Sequence, residues 1–182
     1  HVEGARLEDL AVQTSTYGRV IPSVYGTVRI AGNVIWARPI KEKATTTTTT
    51  TRSSGGKGGG SRRSSSQTTT ETTYSYSATL AVAICEGQID RITRMWADAK
   101  LLSLGKLNIR IYKGTETQLP DALMESYVSA APAYRGLAYV VIEDFPLADF
   151  GNRVPNFTFE VMRKVADATA SVPAEHRVKA LT

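Results

Sequence analysis

The sequence predicts a mainly β (α+β) fold: an antiparallel β-barrel or sandwich-like domain with one or two short helices and a long protruding β-hairpin. Three observations predict it. From Tyr74 to Cys85 large side chains alternate with small ones, the period-two pattern of a strand. From Thr45 to Thr73 two threonine-rich runs flank a glycine-rich centre, Gly55 to Gly60; β-branched threonine favours extended backbone, and glycine resists any fixed conformation. Before the C-terminal region only Asp121 to Val128 has convincing helical spacing.

In chain order, Thr16 to Pro22 and Val24 to Gly26 set glycines and a proline between apolar residues, which suits a punctuated loop or edge strand. Thr27 to Ile30 and Val34 to Ile40 are extended runs separated by Ala31-Gly32-Asn33, a tight-turn composition. They predict a hairpin whose second strand runs on into the first threonine arm. On the alternating strand, Tyr74, Tyr76, Ala78, Leu80, Val82 and Ile84 form the core face. Ser75, Ser77, Thr79, Ala81, Ala83 and Cys85 form a uniformly small face, open to another layer or a neighbouring subunit.

Glu86-Gly87 ends that run, and Ile89 to Leu102 resumes strand character around a turn at Asp98-Ala99-Lys100. Leu107 to Tyr112 alternates as a half-buried strand. The helix places Leu123, Met124, Tyr127 and Val128 on one face, with Asp121 at its electropositive end. Leu137 to Ile142 is almost wholly apolar, the mark of a doubly buried strand, and Phe157 to Met162 alternates again. Between them Glu143 to Arg153 reads as a structured loop pinned by aromatics. Arg163 to Ala170 suits a helix ended by Pro173, or a frayed terminus. One compact body and two small β subdomains joined near Glu86-Gly87 both fit this order.

With 182 residues and 42% hydrophobic content the chain can bury a real core. The formal charge of +5 is concentrated in one place: Arg52, Lys57, Arg62 and Arg63 against Glu71 supply +3, leaving +2 for the remainder. A basic tip suits phosphate, anionic lipid or an acidic protein surface, and equally suits solvation of an adhesive hairpin. The single cysteine gives neither an internal disulfide nor a metal cluster. No apolar run approaches the roughly 20 residues of a membrane span. The ends read as those of a piece cut from a longer polypeptide: a β-rich domain at about 7–163, the excursion 44–73, and 164–182 as a tail or the start of a further segment.

No catalytic, cofactor-binding or metal-binding residue is expected. His1 and His176 lie near the two ends, in the stretches that look least ordered, and suit solvent-facing positions better than a catalytic base. Cys85, at the end of a small-residue face, suits an inert packed thiol better than a nucleophile. Gly55 to Gly60 encloses a lysine, yet lacks the glycine spacing, preceding strand and following helix of a phosphate loop. Glu143 and Asp144 are neighbours on a strand and point to opposite faces, so they do not flank one bond; Asp149 lies nearby in sequence. Trp36, Trp96 and the eight tyrosines suit core and interface packing better than a sugar platform.

Several blocks in order carry a family resemblance. The run Tyr17-Gly18-Arg19-Val20-Ile21-Pro22-Ser23-Val24-Tyr25-Gly26-Thr27-Val28-Arg29-Ile30-Ala31-Gly32-Asn33-Val34-Ile35-Trp36 is followed by the Gly55 to Gly60 tip, Tyr74-Ser75-Tyr76-Ser77 and Ala83-Ile84-Cys85-Glu86-Gly87-Gln88-Ile89. Then come Trp96-Ala97-Asp98, Ala133-Tyr134-Arg135-Gly136-Leu137-Ala138-Tyr139-Val140 and Asp149-Phe150-Gly151-Asn152-Arg153-Val154-Pro155-Asn156-Phe157. Together, over about Leu7 to Met162, these resemble the phage tail-tip (baseplate) hub proteins, in particular those of siphophage-like gene transfer agents.

The resemblance implies a trimeric hub assembled in the bacterial cytoplasm and sited at the tail tip of the particle. Its implied partners are other copies of itself, the tail tube and distal tail proteins, and tail fibre or receptor-binding proteins, with DNA passing only in transit. It implies no reaction and no cofactor at this domain, and transfers no catalytic residue. The candidate interface is the hairpin: Thr45, Thr47, Thr49, Thr51, Lys57, Arg62, Arg63, Thr68, Thr70, Thr72, Ser75 and Ser77. Asp149, Asn152 and Arg153 fix a loop or join an interface. The rival expectation is a carbohydrate-binding or adhesin module contacting the host cell surface through exposed aromatics and the basic tip.

Overall fold

The computed structural model describes residues 6–7, 10–12, 20–53 and 65–164. The Gly55 to Gly60 tip with Lys57, Arg62 and Arg63, the two histidines, Gly18, and all but the first two residues of the helix expected over Arg163 to Ala170 lie outside the described residues. Nine strands run in order: β1 Gly26–Ala31, β2 Asn33–Ala37, β3 Lys41–Ser53, β4 Ser65–Glu86, β5 Arg91–Ala97, β6 Lys100–Leu102, β7 Ile109–Lys113, β8 Leu137–Pro146 and β9 Phe157–Arg163. Among the described residues one α-helix, α1, spans Ala122–Tyr127 between β7 and β8.

The strands form two antiparallel sheets that do not close into a barrel. One sheet has the order β1-β9-β5-β6, and the other β2-β4-β8-β7 with β3 on β4. The mainly β, sandwich-like expectation therefore holds, and the barrel alternative does not. The predicted core row of β4 faces the other sheet: Tyr76, Ala78, Leu80, Val82 and Ile84 pack with Ile92, Met95, Phe157, Phe159 and Val161. The small face admits a layer of the same chain. There Ala81, Tyr139 and Val141 lie against Met124 of α1. β8 is thus buried on both faces, Ala138 to Ile142 being fully enclosed, as its uninterrupted apolar run predicts.

Four expectations need correction. β1 and β2 are not a hairpin. β1 pairs with β9 and β2 with β4, so the chain changes sheet at Gly32. A Cβ there would overlap the Val82 side chain and lie 2.7 Å from Phe159 Cε2, so a tight-turn composition marks a corner pressed into the core. The second strand does continue towards the threonine arm, with a break at Arg38–Ile40. There Arg38 N still donates to Thr79 O, and Pro39 has no N–H to extend the ladder.

The segment Glu143 to Pro146 is strand, because β8 runs through it. Asp144 takes φ 48° where the β4–β8 register shifts, and its N–H donates to Thr79 Oγ1 at 3.0 Å. The loop proper is Leu147 to Arg153. In it Phe150 packs on Phe145 at 5.5 Å, and Arg153 reaches Asp98 at 2.7 Å. Arg163 belongs to β9. Finally, α1 buries only Met124, while Tyr127 and Val128 are 52% and 41% exposed. At six residues it is too short to bury a full stripe.

Candidate functional site

β3 and β4 are the longest strands, and from Ser65 to Ser75 β4 has only β3 beside it. At about 3.4 Å per residue this two-stranded ribbon stands roughly 35–40 Å clear of the body. All its described side chains from Thr45 to Thr51 and from Ser66 to Thr73 are exposed. The outer edge of β3 and the far edge of β4 are unpaired among the described residues. Threonine supplies the extended propensity, and hydroxyl pairs link the arms: Thr46 with Thr72 at 3.2 Å, and Thr50 with Thr68 at 3.5 Å. The side chains of Thr73 and Ser75 donate to the carbonyls of Thr45 and Lys43.

The register sorts the expected interface residues onto two faces. Thr45 opposes Thr73, Thr46 opposes Thr72, Lys43 opposes Ser75 and Lys41 opposes Ser77. Directly opposed residues share a face, so Thr45, Thr47, Thr49 and Thr51 lie with Ser75 and Ser77. Thr68, Thr70 and Thr72 lie on the other face with Thr46, Thr48 and Thr50. The described members of the candidate set lie on one ribbon, divided between its sides. The odd-numbered side carries Lys41, Lys43 and Glu71. The even-numbered side continues the core row through Tyr76 and Tyr74 and is uncharged from Ala44 to Thr50 and from Thr68 to Tyr74.

A second polar constellation escaped the sequence reading. Asp121 is fully buried and caps α1, accepting from Leu123 N at 2.9 Å and Met124 N at 3.1 Å. Its carboxylate also takes a two-pronged bond from Arg110, at 2.6 and 3.1 Å, and one from the Tyr112 hydroxyl at 2.8 Å. Arg110 in turn reaches Glu143. Burial by itself raises a carboxyl pKa, but the bonds from Arg110, Tyr112 and the helix amide outweigh it and hold Asp121 below the usual range. Burial, then the hydrogen bond to Asp121, pushes Tyr112 up to about 12. A carboxylate so fully engaged anchors the helix and is not free to accept a proton. The capping position was legible, whereas the ion pair depends on strands far apart in sequence.

The remaining chemical candidates separate. Cys85 is buried, and burial raises its thiol, with Arg163 opposing weakly. Glu143 turns to Arg110 and Asn108, while Asp144 turns to Lys41 and Ser77. Asp149 pairs with Lys100 at 2.5 Å, and Asn152 bonds Leu147 through its backbone, which supports the loop-fixing role. Trp36 is half-buried beside Tyr127, and Trp96 lies under Arg29 at 3.9 Å. Among the described residues no group of three or more His, Cys, Asp or Glu is placed to hold a metal, and no helix is long and apolar enough to cross a membrane.

Fold and site together define a two-sheet β domain bearing a projecting, edge-exposed ribbon. No protein-family model matches the chain, and no curated protein matches it. Among solved structures it is similar to a chain of the "Virion of native gene transfer agent (GTA) particle", with 37% identity and a TM-score of 0.64. The match covers 99% of this chain and 36% of that one, so this chain spans about a third of that protein's length.

Proposed function

We propose that the chain is a structural domain of the tail-tip hub of a phage-like or gene transfer agent particle. The observation that carries this reading is the 37% identity to a gene transfer agent virion chain across 99% of the sequence. In it, residues of about 7–163 form one domain of a longer hub protein in three copies. The hub joins the tail tube to fibre or receptor-binding parts and shapes the DNA exit towards the host envelope. The domain carries out no reaction. Its ribbon is the assembly element, since a long strand edge left open is a template for pairing with another chain.

Electron microscopy of purified particles with a label inserted between Gly55 and Gly60 tests the reading. Label density at the tail end is expected, and density elsewhere on the particle refutes it. A surface-glycan role has one observation in its favour: Tyr127 is exposed beside Trp36, with the Arg38 guanidinium 3.8 Å above its ring. That role requires glycan-array binding by the domain that disappears in Tyr127→Ala.

A further inference from the structure

We infer that the ribbon closes with the ribbons of two further copies into a six-stranded antiparallel barrel whose even-numbered threonines turn inward. The inference rests on the three-copy reading above and names the partner of its assembly element. Among the described residues the ribbon has two open edges, β3 on one side and residues 65–75 of β4 on the other. The β3 edge from Thr45 to Thr51 carries no charge and no proline, the usual protections of an edge strand. Such an edge is built to be covered.

Direction selects the arrangement. β3 and β4 of one ribbon are antiparallel. Copies related by rotation about an axis along the ribbon set β3 of one beside β4 of the next, which makes the new junction antiparallel too. Repeated three times, this heterologous contact returns to its start and leaves no edge. An isologous pairing of β3 with β3 satisfies one edge of each ribbon and leaves both β4 edges bare.

Chemistry selects the face. A small closed barrel hides its inner side chains from water, and a hidden unpaired charge is very costly. Lys41, Lys43 and Glu71 lie on the odd-numbered side, whereas the even side is uncharged over Ala44, Thr46, Thr48, Thr50, Thr68, Thr70, Thr72 and Tyr74, with its charges, Glu42 and Arg52, only at the two ends of that stretch. On that side the hydroxyls of Thr46 and Thr72, and of Thr50 and Thr68, already meet each other, so they can leave water without losing their partners. The low complexity also has a physical role. Closing a barrel staggers its strands, and near-uniform threonine arms oppose like residues at many staggers.

About eight strands give an interior just filled by side chains, so six leave no passage for a duplex. The ribbons therefore form a solid stalk or stopper, and DNA must leave by another route or displace it.

Hydrogen exchange on purified particles tests this. In a lone ribbon alternate amides of each arm point outward to solvent, so about half of those in 45–51 and 67–73 exchange quickly. In the barrel nearly all are protected, and that is the expected result. Half-protection in particles bearing three copies overturns the barrel and leaves the hub reading standing; label away from the tail end removes the hub reading itself. As a second arm, Thr70→Lys on the inner face is expected to weaken trimer formation at least tenfold, while Thr69→Lys on the outer face leaves it unchanged. Equal effects of the two overturn the assignment of faces. Both sites are exposed in the single chain, so circular dichroism should show the fold retained.

Discussion

At the scale of single residues, Asp121 is fully buried and accepts bonds from Arg110, Tyr112 and the first amides of α1. Its folded pKa is lowered, so the stability it contributes is complete above the unfolded value, about 4, and is lost as pH falls through the folded value. Asp121→Asn keeps a capping oxygen but removes the charge that Arg110 faces. Arg110 is 36% exposed, which discounts the loss from the 3–5 kcal/mol of a fully buried pair to about 2–4 kcal/mol. Urea unfolding at neutral pH should read that loss, and the gap between variant and parent should shrink as the solution is acidified. A gap constant with pH would mean that packing, not charge, is lost. Tyr139 makes the opposite case. Its ring stacks on Tyr112 at 4.4 Å, while its buried hydroxyl has no partner among the described residues. Tyr139→Phe keeps the stack and removes the orphan, so it should stabilise by about 1 kcal/mol; a comparable loss in thermal unfolding would contradict this.

At the scale of elements, the strands whose evidence is internal were legible and their partners were not. β4 declares its two faces because, from Tyr74 to Cys85, one row is mostly large and apolar and the other uniformly small. β8 declares its burial because Leu137 to Ile142 is almost wholly apolar. The sheet that a strand joins depends on residues far along the chain, and β1 finds β9 rather than its neighbour β2. Ala31-Gly32-Asn33 signals a turn with equal force in either topology. The same limit divided the interface set, because which threonines share a face is fixed by the β3–β4 register and not by composition. The corner makes its own prediction. Gly32→Ala drives a methyl against Val82 and Phe159, and overpacking of this kind costs about 1–3 kcal/mol. Double substitution with Val82→Ala should recover part of the loss in chemical denaturation, since the first clash is with that side chain. No recovery would place the strain in the backbone.

For the whole molecule, fold and assembly occupy separable regions. The core lies between the two sheets and under α1, and among the described residues the ribbon beyond the Ala44–Tyr74 pair adds no buried side chain to it. A two-stranded ribbon is marginal by itself in water, so it draws stability from the body and returns little. Replacing residues 45–73 with a two-residue Asn-Gly turn joins Ala44 to Tyr74 across an existing pair, and Asn-Gly suits a two-residue hairpin. The shortened chain should melt within about 3 °C of the parent, a shift that for a domain of this size corresponds to about 1 kcal/mol. Its incorporation into particles should fall at least tenfold. A large fall in melting temperature would make the ribbon part of the fold, and normal incorporation would move the assembly surface onto the sandwich. The second result would point to the outer face of the β1-β9-β5-β6 sheet, where Arg29 stacks on Trp96 and Arg94 meets Glu160 at 3.9 Å. The ribbon is the stronger candidate because that face already pairs its glutamate and its tryptophan within the chain, whereas the backbone edges of the ribbon meet only water until another strand pairs with them.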